Sequence, residues 1–275
     1  MKTNKILIYD DNCPLCTWYT GVFVKCGLLP AEGRRAFSVI EPALFDKIDF
    51  AKSRNEIPLL DTPTGKVFYG IDSLLEILDQ KIPLIKRICN FKPLKWLLHK
   101  LYRFISYNRK VVVARKCSNG AIDCTPDFNY FYRILFMTVF LIFNTIMLVP
   151  FHNILFSGLS YYKISMMELQ LAHFGLVVIN CFLACTFHKQ KAIEYLGQVN
   201  MLALLVILLL IPLLLFEKLF VLNDTLVTVY LAFIAMLIFK EYLRRMDYAG
   251  VLVKNSWIIS ANLTSISGFL LFLFN

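Results

Sequence analysis

The sequence predicts an α/β domain over residues 1–80, a basic amphipathic membrane-surface segment over 81–127, and an all-α bundle of about five transmembrane helices over 128–275. Three observations predict this division. Of the 275 residues, 58% are hydrophobic and the mean hydropathy is +0.61, which is too apolar for one soluble domain. The apolar excess follows residue 127. Residues 1–80 carry a net charge of −2, whereas residues 81–116 hold eleven Lys or Arg and no Asp or Glu.

The elements of the first domain follow from hydrophobic periodicity and turn residues. We predict strands at Lys5–Tyr9, Arg35–Ile40, Ile57–Leu60 and Lys66–Tyr69, and helices at Pro14–Gly27, 41–50 and Asp72–Leu78. Asp72 or Ser73 is the expected N-cap of the last of these helices, since short polar side chains favour that position. The resulting order is β-α-β-α-β-β-α.

Two cysteines in C-x-x-C spacing, Cys13 and Cys16, lie where the first strand gives way to the first helix. There the Cys13 thiol meets the positive end of the helix dipole and free backbone N–H groups, which lower its pKa. We predict Cys13, nearer the surface, as the attacking thiolate and Cys16 as the resolving thiol. Pro14 suits the first helical turn. Asp10 is expected to exchange a proton with Cys16 or to cap the helix.

The alternative for this pair is half of a zinc site. Structural zinc usually takes a second close pair such as C-x2-C or H-x3–5-H, and no two of the other cysteines share the C-x2-C spacing. We therefore predict no metal and no cofactor beyond the dithiol itself. Four further cysteines are candidates for a secondary redox role: Cys117, Cys124, Cys181 and Cys185. Cys117 and Cys124 precede the first span and are candidates for a second disulfide.

The segment Tyr9–Cys16 resembles the DCC family of thiol-disulfide oxidoreductases, which is named for an aspartate ahead of its C-x-x-C pair. Weaker matches follow at Gly70–Asp72 and Tyr102–Arg109, so the resemblance covers about residues 4–116. One departure is Asp11, which replaces the family glycine. A second carboxylate there is expected to raise the thiol pKa.

The resemblance, like the order of elements, implies a thioredoxin-like fold. In that fold the proline that opens the third strand, here Pro58, is expected to be cis and to stack beside the dithiol. The backbone next to it, at Ile57, is then expected to pair with the incoming polypeptide or thiol, and Pro14 lies within the same substrate-binding surface. Without the resemblance, Pro58 would be expected to be trans at the first residue of a strand.

Five apolar runs are long enough to cross about 30 Å of hydrocarbon. They are Phe128–Val149, Met166–Phe187, Leu196–Phe216, Leu219–Phe239 and Ser256–Phe274. Only Glu217 and Lys218 separate the third and fourth, which predicts a tight hairpin. Basic loops alternate with neutral ones, which places the N-terminus inside. The first residues also lack the apolar stretch of a secretory signal, so we expect an integral protein of a bacterial-type inner membrane with a cytoplasmic N-terminal domain.

The basic segment alternates apolar and cationic residues at helical spacing, which is typical of helices lying on an anionic leaflet. A solvated helix face is the alternative, and nucleic acid is not an expected partner. Three polar residues lie inside the second span, namely Glu168, His173 and Asn180. They allow two interpretations. They form a relay or quinone pocket that connects Cys181 and Cys185 to the dithiol, or they pack helices together.

Together these features predict an enzyme, a membrane-anchored thiol-disulfide oxidoreductase. Its cytoplasmic dithiol would reduce or exchange disulfides of a membrane-proximal protein or a small thiol. The alternative is a non-catalytic membrane module whose first domain binds a protein partner or a metal.

Overall fold

The computed structural model describes residues 4–117, 122, 124–220 and 223–273. The chain divides into two compact units, Met1–Tyr132 and Arg133–Asn275, which we call the first and second units. The basic segment predicted over 81–127 belongs to the first unit, and its residues 118–121 and 123 lie outside the described part of the chain.

A mixed sheet of four short strands forms the centre of the first unit. The strands are β1 (Lys5–Tyr9), β2 (Arg34–Ala36), β3 (Pro58–Asp61) and β4 (Val67–Tyr69). They lie in the order β2-β1-β3-β4, with β2 parallel to β1 and with β3 antiparallel to both β1 and β4. The antiparallel register brings the start of β3 towards the end of β1, where the dithiol follows.

Six helices accompany this sheet. They are α1 (Pro14–Lys25), α2 (Pro42–Phe45), α3 (Phe50–Ser53), α4 (Ile71–Leu78), α5 (Pro83–Cys89) and α6 (Lys92–Val113). Side chains alternate along β1, so that Leu7 packs on the face shared with Tyr19 and Tyr102, while Ile8 packs on the other face with Phe37 and Cys124. Both faces are therefore covered, and each carries its own small apolar core.

Two predicted elements differ from the structure. The second strand ends at Ala36, because Phe37 turns into the core and residues Phe37–Val39 form a 3-10 turn. The single helix expected over 41–50 is instead the pair of one-turn helices α2 and α3.

The N-cap of α4 is Gly70, so the prediction of Asp72 or Ser73 is wrong. The chain leaves β4 and turns sharply into the helix with a Gly70 φ of +60°, a region that glycine enters without the steric cost of a Cβ. A Cβ at this position would also lie 3.1 Å from the ring of Tyr102. Ser73 is therefore inside the helix, where its hydroxyl donates to the Ile57 carbonyl at 2.9 Å.

Among the residues that the structure describes, five helices are long and apolar enough to cross a membrane, which confirms the prediction of about five spans. They are α7 (Tyr130–Pro150, continued by a π-helical segment to Phe156), α8 (Met166–Ala184), α9 (Lys189–Leu219), α10 (Asp224–Tyr248) and α11 (Ser256–Leu273). The predicted end of the fifth span, Phe274, lies outside the described residues.

The helices α9 and α10 extend beyond the apolar runs that predicted them. Helices α9 and α10 pack against each other, as the predicted hairpin requires, but their connection follows Leu219 and does not lie at 217–218. Asn223 caps α10 by accepting the Thr225 N–H at 2.8 Å. At its other end α10 continues through the charged residues after Phe239, because Arg245 is buried against protein groups. Its guanidinium donates to Glu241 at 2.8 Å and to Gln198 at 2.7 Å.

Candidate functional site

The dithiol lies at the start of α1. Cys13 is the N-cap residue, with extended backbone (φ −102°, ψ 107°), and Pro14 is the first helical residue as predicted. The Cys13 N–H donates to the Asp10 carbonyl at 3.2 Å, which closes the turn between β1 and the helix. Cys13 is 1% exposed and Cys16 4% exposed. Both cysteines are therefore almost fully covered by neighbouring groups, and the prediction that Cys13 is the one nearer the surface stays a prediction.

The two thiols differ strongly in acidity. The Cys16 thiol donates a hydrogen bond that lowers the pKa of Cys13 to about 6, with smaller help from the Cys16 backbone N–H and from Arg109, against the opposing effects of burial and Asp10. Donating that bond, together with burial, raises the pKa of Cys16 well above its usual value. At neutral pH the site therefore holds a thiolate at Cys13 and a proton on Cys16.

A buried arginine from α6 supplies the positive charge of this site. Its Arg109 guanidinium lies 3.5 Å from Oδ2 of Asp10 and donates to the Arg54 carbonyl at 2.9 Å and to the Cys124 carbonyl. Burial disfavours its charge, but the two cysteine sulfurs and Asp10 outweigh burial and raise the pKa of Arg109. The arginine is thus permanently charged beside the thiols.

Arg109 is not among the site residues predicted from the sequence. The residue appeared only as the end of the weak Tyr102–Arg109 match, about a hundred positions from the dithiol along the chain. Helix α6 packs against α1 and α4, and its last turns place the buried Arg109 beside Asp10. Residues 81–116 hold eleven Lys or Arg and no acidic residue, so the sequence alone does not distinguish Arg109 from the ten other cations.

Asp10 is buried beside the dithiol and bonds to the turn that precedes α1. One carboxylate oxygen accepts the Asn12 N–H at 3.0 Å, and the other faces Arg109. No side chain caps α1 itself, so Asp10 does not have the capping role that was predicted for it. It accepts the N–H of Asn12, in the turn before the helix. Its negative charge raises the pKa of both cysteines, and its proton exchange with Cys16 stays a prediction.

The substitution of the family glycine by Asp11 fits the backbone without strain. In the described part of the chain, the non-glycine residue with a positive φ is Ala114, so Asp11 does not adopt the left-handed region. Its carboxylate accepts the Ser38 N–H at 3.3 Å. Asp11 therefore has a structural contact of its own between the first turn and the segment after β2.

Ile57 and Pro58, which were predicted to bind substrate together with Pro14, lie at the start of β3. Every peptide bond among the described residues is trans, so the expectation of a cis Pro58 is wrong. The trans isomer is also the intrinsically favoured one, by about 0.5–1 kcal/mol. The Ile57 N–H donates to the Tyr102 hydroxyl at 2.9 Å, and its carbonyl accepts from the Gly70 N–H at 2.9 Å. The Ile57 backbone is thus engaged within the chain, whereas pairing with a substrate had been expected.

Two tyrosines pack against the apolar core that contains Leu7 and Ile57. Tyr19 comes from α1 and Tyr102 from α6, and burial raises the pKa of each, so both hydroxyls stay protonated. The charge of Cys16 adds to the increase in both pKa values. Tyr102 also joins the site to β3 through its bond to Ile57.

All eight cysteines of the chain lie among the described residues and are thiols, so the second disulfide expected between Cys117 and Cys124 is not formed. Burial raises the pKa of Cys124 to about 12, which keeps its thiol protonated. Cys181 and Cys185 are exposed one turn apart on the second unit. A redox role for these four residues stays a prediction.

The polar residues of the second span take part in capping and in contacts between helices. Glu168 completes a capping box with Ser165 at the start of α8. Asn180 accepts from the Tyr195 hydroxyl at 2.7 Å, and that hydroxyl accepts from Asn262 at 2.8 Å. His173 lies 3.4 Å from the Thr145 hydroxyl. These contacts favour the packing interpretation, and the relay stays a hypothesis.

No protein-family model, curated protein or solved structure matches this chain. Within the described residues, no group of three or more His, Cys, Asp or Glu side chains is placed to hold a metal ion. The geometry and electrostatics of the dithiol therefore carry the functional argument.

Proposed function

We propose that this protein is a membrane-anchored thiol-disulfide oxidoreductase. Its dithiol reduces or exchanges disulfides of a membrane-proximal protein or of a small thiol. The observation that carries the proposal is the unequal pair at the start of α1, where the pKa of Cys13 falls to about 6 while that of Cys16 rises. A nucleophile that is ionised at neutral pH, next to a thiol that keeps its proton, is the arrangement that disulfide exchange requires.

The reaction follows from this arrangement. The Cys13 thiolate attacks one sulfur of the partner disulfide, forms a mixed disulfide and releases the other partner sulfur as a thiolate. Cys16 then loses its proton, with the Asp10 carboxylate as the candidate acceptor. The Cys16 thiolate attacks the Cys13 sulfur and releases the second partner thiolate. The partner gains two electrons as its disulfide opens; one of its thiolates takes up the proton that left Cys16, and the other takes a proton from water. The chain ends with a Cys13–Cys16 disulfide.

The arrangement of the first unit supports a thioredoxin-like interpretation. Its strand order β2-β1-β3-β4, with one parallel and two antiparallel pairings, agrees with the β-α-β-α-β-β-α layout of that fold. The dithiol follows β1, as in the DCC family that the segment Tyr9–Cys16 resembles. Membership in that family is part of the proposal.

The charge distribution supports a cytoplasmic location for the dithiol. The segment that leads into the first span is strongly basic, and further Lys and Arg lie at the start of α9, at the end of α10 and just before α11, which is the pattern of cytoplasmic ends. In the cytoplasm thiols are held reduced, so the chain would act as a reductant.

Trapping the mixed disulfide tests this function. A Cys16→Ser chain lacks the resolving thiol and is expected to accumulate disulfide-linked adducts through Cys13 in membranes, detectable on non-reducing gels and lost on reduction. The double variant Cys13→Ser/Cys16→Ser is the matched control. Equal adduct formation in the two variants would show that Cys13 does not attack and would refute the proposal.

The non-catalytic alternative is favoured by one observation, the burial of both sulfurs. Exposures of 1% and 4% mean that a partner disulfide reaches Cys13 only after neighbouring groups move. A chain that binds a partner or a metal without turnover would show no Cys13 adduct. Instead, the parent chain would retain the partner, or zinc at about one ion per chain, and the double variant Cys13→Ser/Cys16→Ser would retain neither.

A further inference from the structure

An apolar face of α5 and the first two-thirds of α6 points outward from the first unit. Its bulky side chains are about half exposed or more, with Leu84 at 64% and Trp96 at 63%. The members of this face, which we call the α5–α6 face, are Ile82, Leu84, Ile88, Phe91, Trp96, Leu97, Leu101 and Ile105. A contiguous apolar surface of this kind is rare on a domain surrounded by water and indicates a binding surface.

The charges around this face indicate what covers it. Arg87, Lys92 and Lys100 are exposed on the same two helices, and Lys100 Nζ lies 5.8 Å from the centre of the Trp96 ring. Residues 81–116 contain no carboxylate side chain. An apolar stripe accompanied by cations alone is complementary to lipid that carries negative headgroups.

The far end of α6 lies against the start of the first span. Still within the first unit, the Tyr107 ring stacks on that of Tyr132 with centroids 5.2 Å apart, and Asn108 donates to the Tyr132 carbonyl at 3.0 Å. Tyr132 belongs to the first candidate span, Tyr130–Phe156. At a rise of about 1.5 Å per residue, Trp96 is about 16 Å from Tyr107 along the helix axis. One helix, α6, therefore carries part of the α5–α6 face near its start and contacts the beginning of the first candidate span near its end.

We infer that the α5–α6 face docks on the anionic leaflet from which the first span enters the membrane. Trp96, Leu97 and Leu101 lie at the boundary between headgroups and acyl chains, and the exposed cations lie among the headgroup phosphates. The same helix holds Arg109 at its other end, so leaflet contact sets the position of the dithiol relative to the membrane surface. This inference goes beyond the proposed thiol chemistry, because lipid contact is measured without turnover.

Tryptophan fluorescence of the full chain in lipid nanodiscs tests it. The chain contains three tryptophans, so Trp18→Phe/Trp257→Phe leaves Trp96 as the only one. We expect Trp96 to be quenched by lipids brominated near the headgroup and to be shielded from aqueous acrylamide. Trp96→Phe/Trp257→Phe is the matched control, since it leaves Trp18, which is 69% exposed on α1. Trp18 is expected to respond to acrylamide and not to the brominated lipids.

A charge series tests the requirement for negative lipid. Replacing Arg87, Lys92 and Lys100 by glutamine is expected to reduce the docked-to-undocked ratio about fivefold per charge in anionic discs. In zwitterionic discs the same substitutions are expected to have little effect. Glutamine at the exposed Lys25, Lys47 and Lys66, which lie outside α5 and α6, removes equal charge and is expected to leave the quenching unchanged.

Two results would overturn the inference. Acrylamide quenching of Trp96 equal to that of Trp18 would mean that the face is open to water. Shielding of Trp96 from acrylamide without quenching by brominated lipid would mean that protein covers it, either a second copy of the chain or another partner. Both results leave the disulfide-trapping outcome unaffected, so failure of this inference is distinguishable from failure of the proposed function.

Discussion

Replacing Cys16 by alanine is expected to raise the pKa of Cys13 from about 6 to above about 7. Three contributions lower this pKa from its usual 9.0, namely the Cys16 thiol, the Cys16 backbone N–H and Arg109, and burial and Asp10 oppose them. The sum of these three contributions exceeds the difference between 9.0 and about 6, because it must also offset burial and Asp10. The Cys16 thiol makes the largest of the three contributions. Its removal therefore returns more than about one pKa unit, or about 1.4 kcal/mol.

The thiolate population at neutral pH should change accordingly. At pH 7 the ionised fraction of Cys13 falls from about nine-tenths to about half or less. Alanine keeps the backbone N–H donor and Arg109 remains, so the pKa is not expected to return fully to 9.0. The assay is the pH profile of Cys13 alkylation by iodoacetamide from about pH 5 to about pH 9, with the Cys13 peptide quantified by mass spectrometry. The midpoint of the profile reports the pKa even though burial slows the reaction.

A matched variant separates this effect from the loss of any cysteine. Cys26 is exposed at the C-terminal end of the same helix, and Cys26→Ala should leave the Cys13 midpoint near 6. A Cys16→Ala midpoint equal to that of the parent would refute the assignment of the Cys16 thiol as the main stabiliser of the thiolate. A parent midpoint near 9 would refute the proposed acidity itself.

Three further outcomes are expected. Arg109→Gln should raise the Cys13 alkylation midpoint by less than Cys16→Ala does, since its contribution is smaller, and an unchanged midpoint would exclude its electrostatic role. Because the folded-state pKa of Cys13 lies below its usual value, the thiolate stabilises the fold above about pH 9, and this contribution is lost as pH falls through about 6. The apparent melting temperature of the reduced chain should therefore rise from about pH 6 to about pH 9, and less so in Cys13→Ser. Arg245→Ala should lower the unfolding free energy by about 1.5–3 kcal/mol, because it removes the hydrogen bonds of a buried guanidinium to Gln198 and Glu241. Arg244 pairs with the same Glu241 carboxylate, but its side chain is 45% exposed, so Arg244→Gln should lower the unfolding free energy by less than about 1 kcal/mol. Thermal unfolding measures both variants, and equal losses would contradict this reasoning.

The elements that periodicity predicted best are those with one dominant local cause. Strand β1 has its predicted bounds, and α1 begins at Pro14, because an apolar run, a turn and a helix-starting proline follow one another. The spans were predictable in number because length and hydropathy alone decide them. Their ends were less predictable. Helix α10 continues past Phe239 because Arg245 finds buried partners, which hydropathy does not register.

Errors in the first unit arise where tertiary contacts override a local preference. Phe37 alternates correctly for a strand, yet its burial in the core ends β2 early. Ser73 is a good cap by type, but its hydroxyl is used by Ile57, and the sharp turn after β4 required Gly70. The cis isomer expected for Pro58 came from the resemblance, whereas its trans form agrees with the residue preference alone.

The sequence by itself determined the chemistry of the site and the class of the chain. A C-x-x-C pair between a strand and a helix, and apolar runs of membrane length, depend on neighbours in the sequence and are visible in it. Only the tertiary structure decided that Arg109 lies 3.5 Å from Asp10, and that both thiols are buried. It also divided the basic segment into an outward apolar face and an inward end that completes the site. These features depend on contacts between residues far apart in the chain, because α6 must pack on the first unit before its two ends differ.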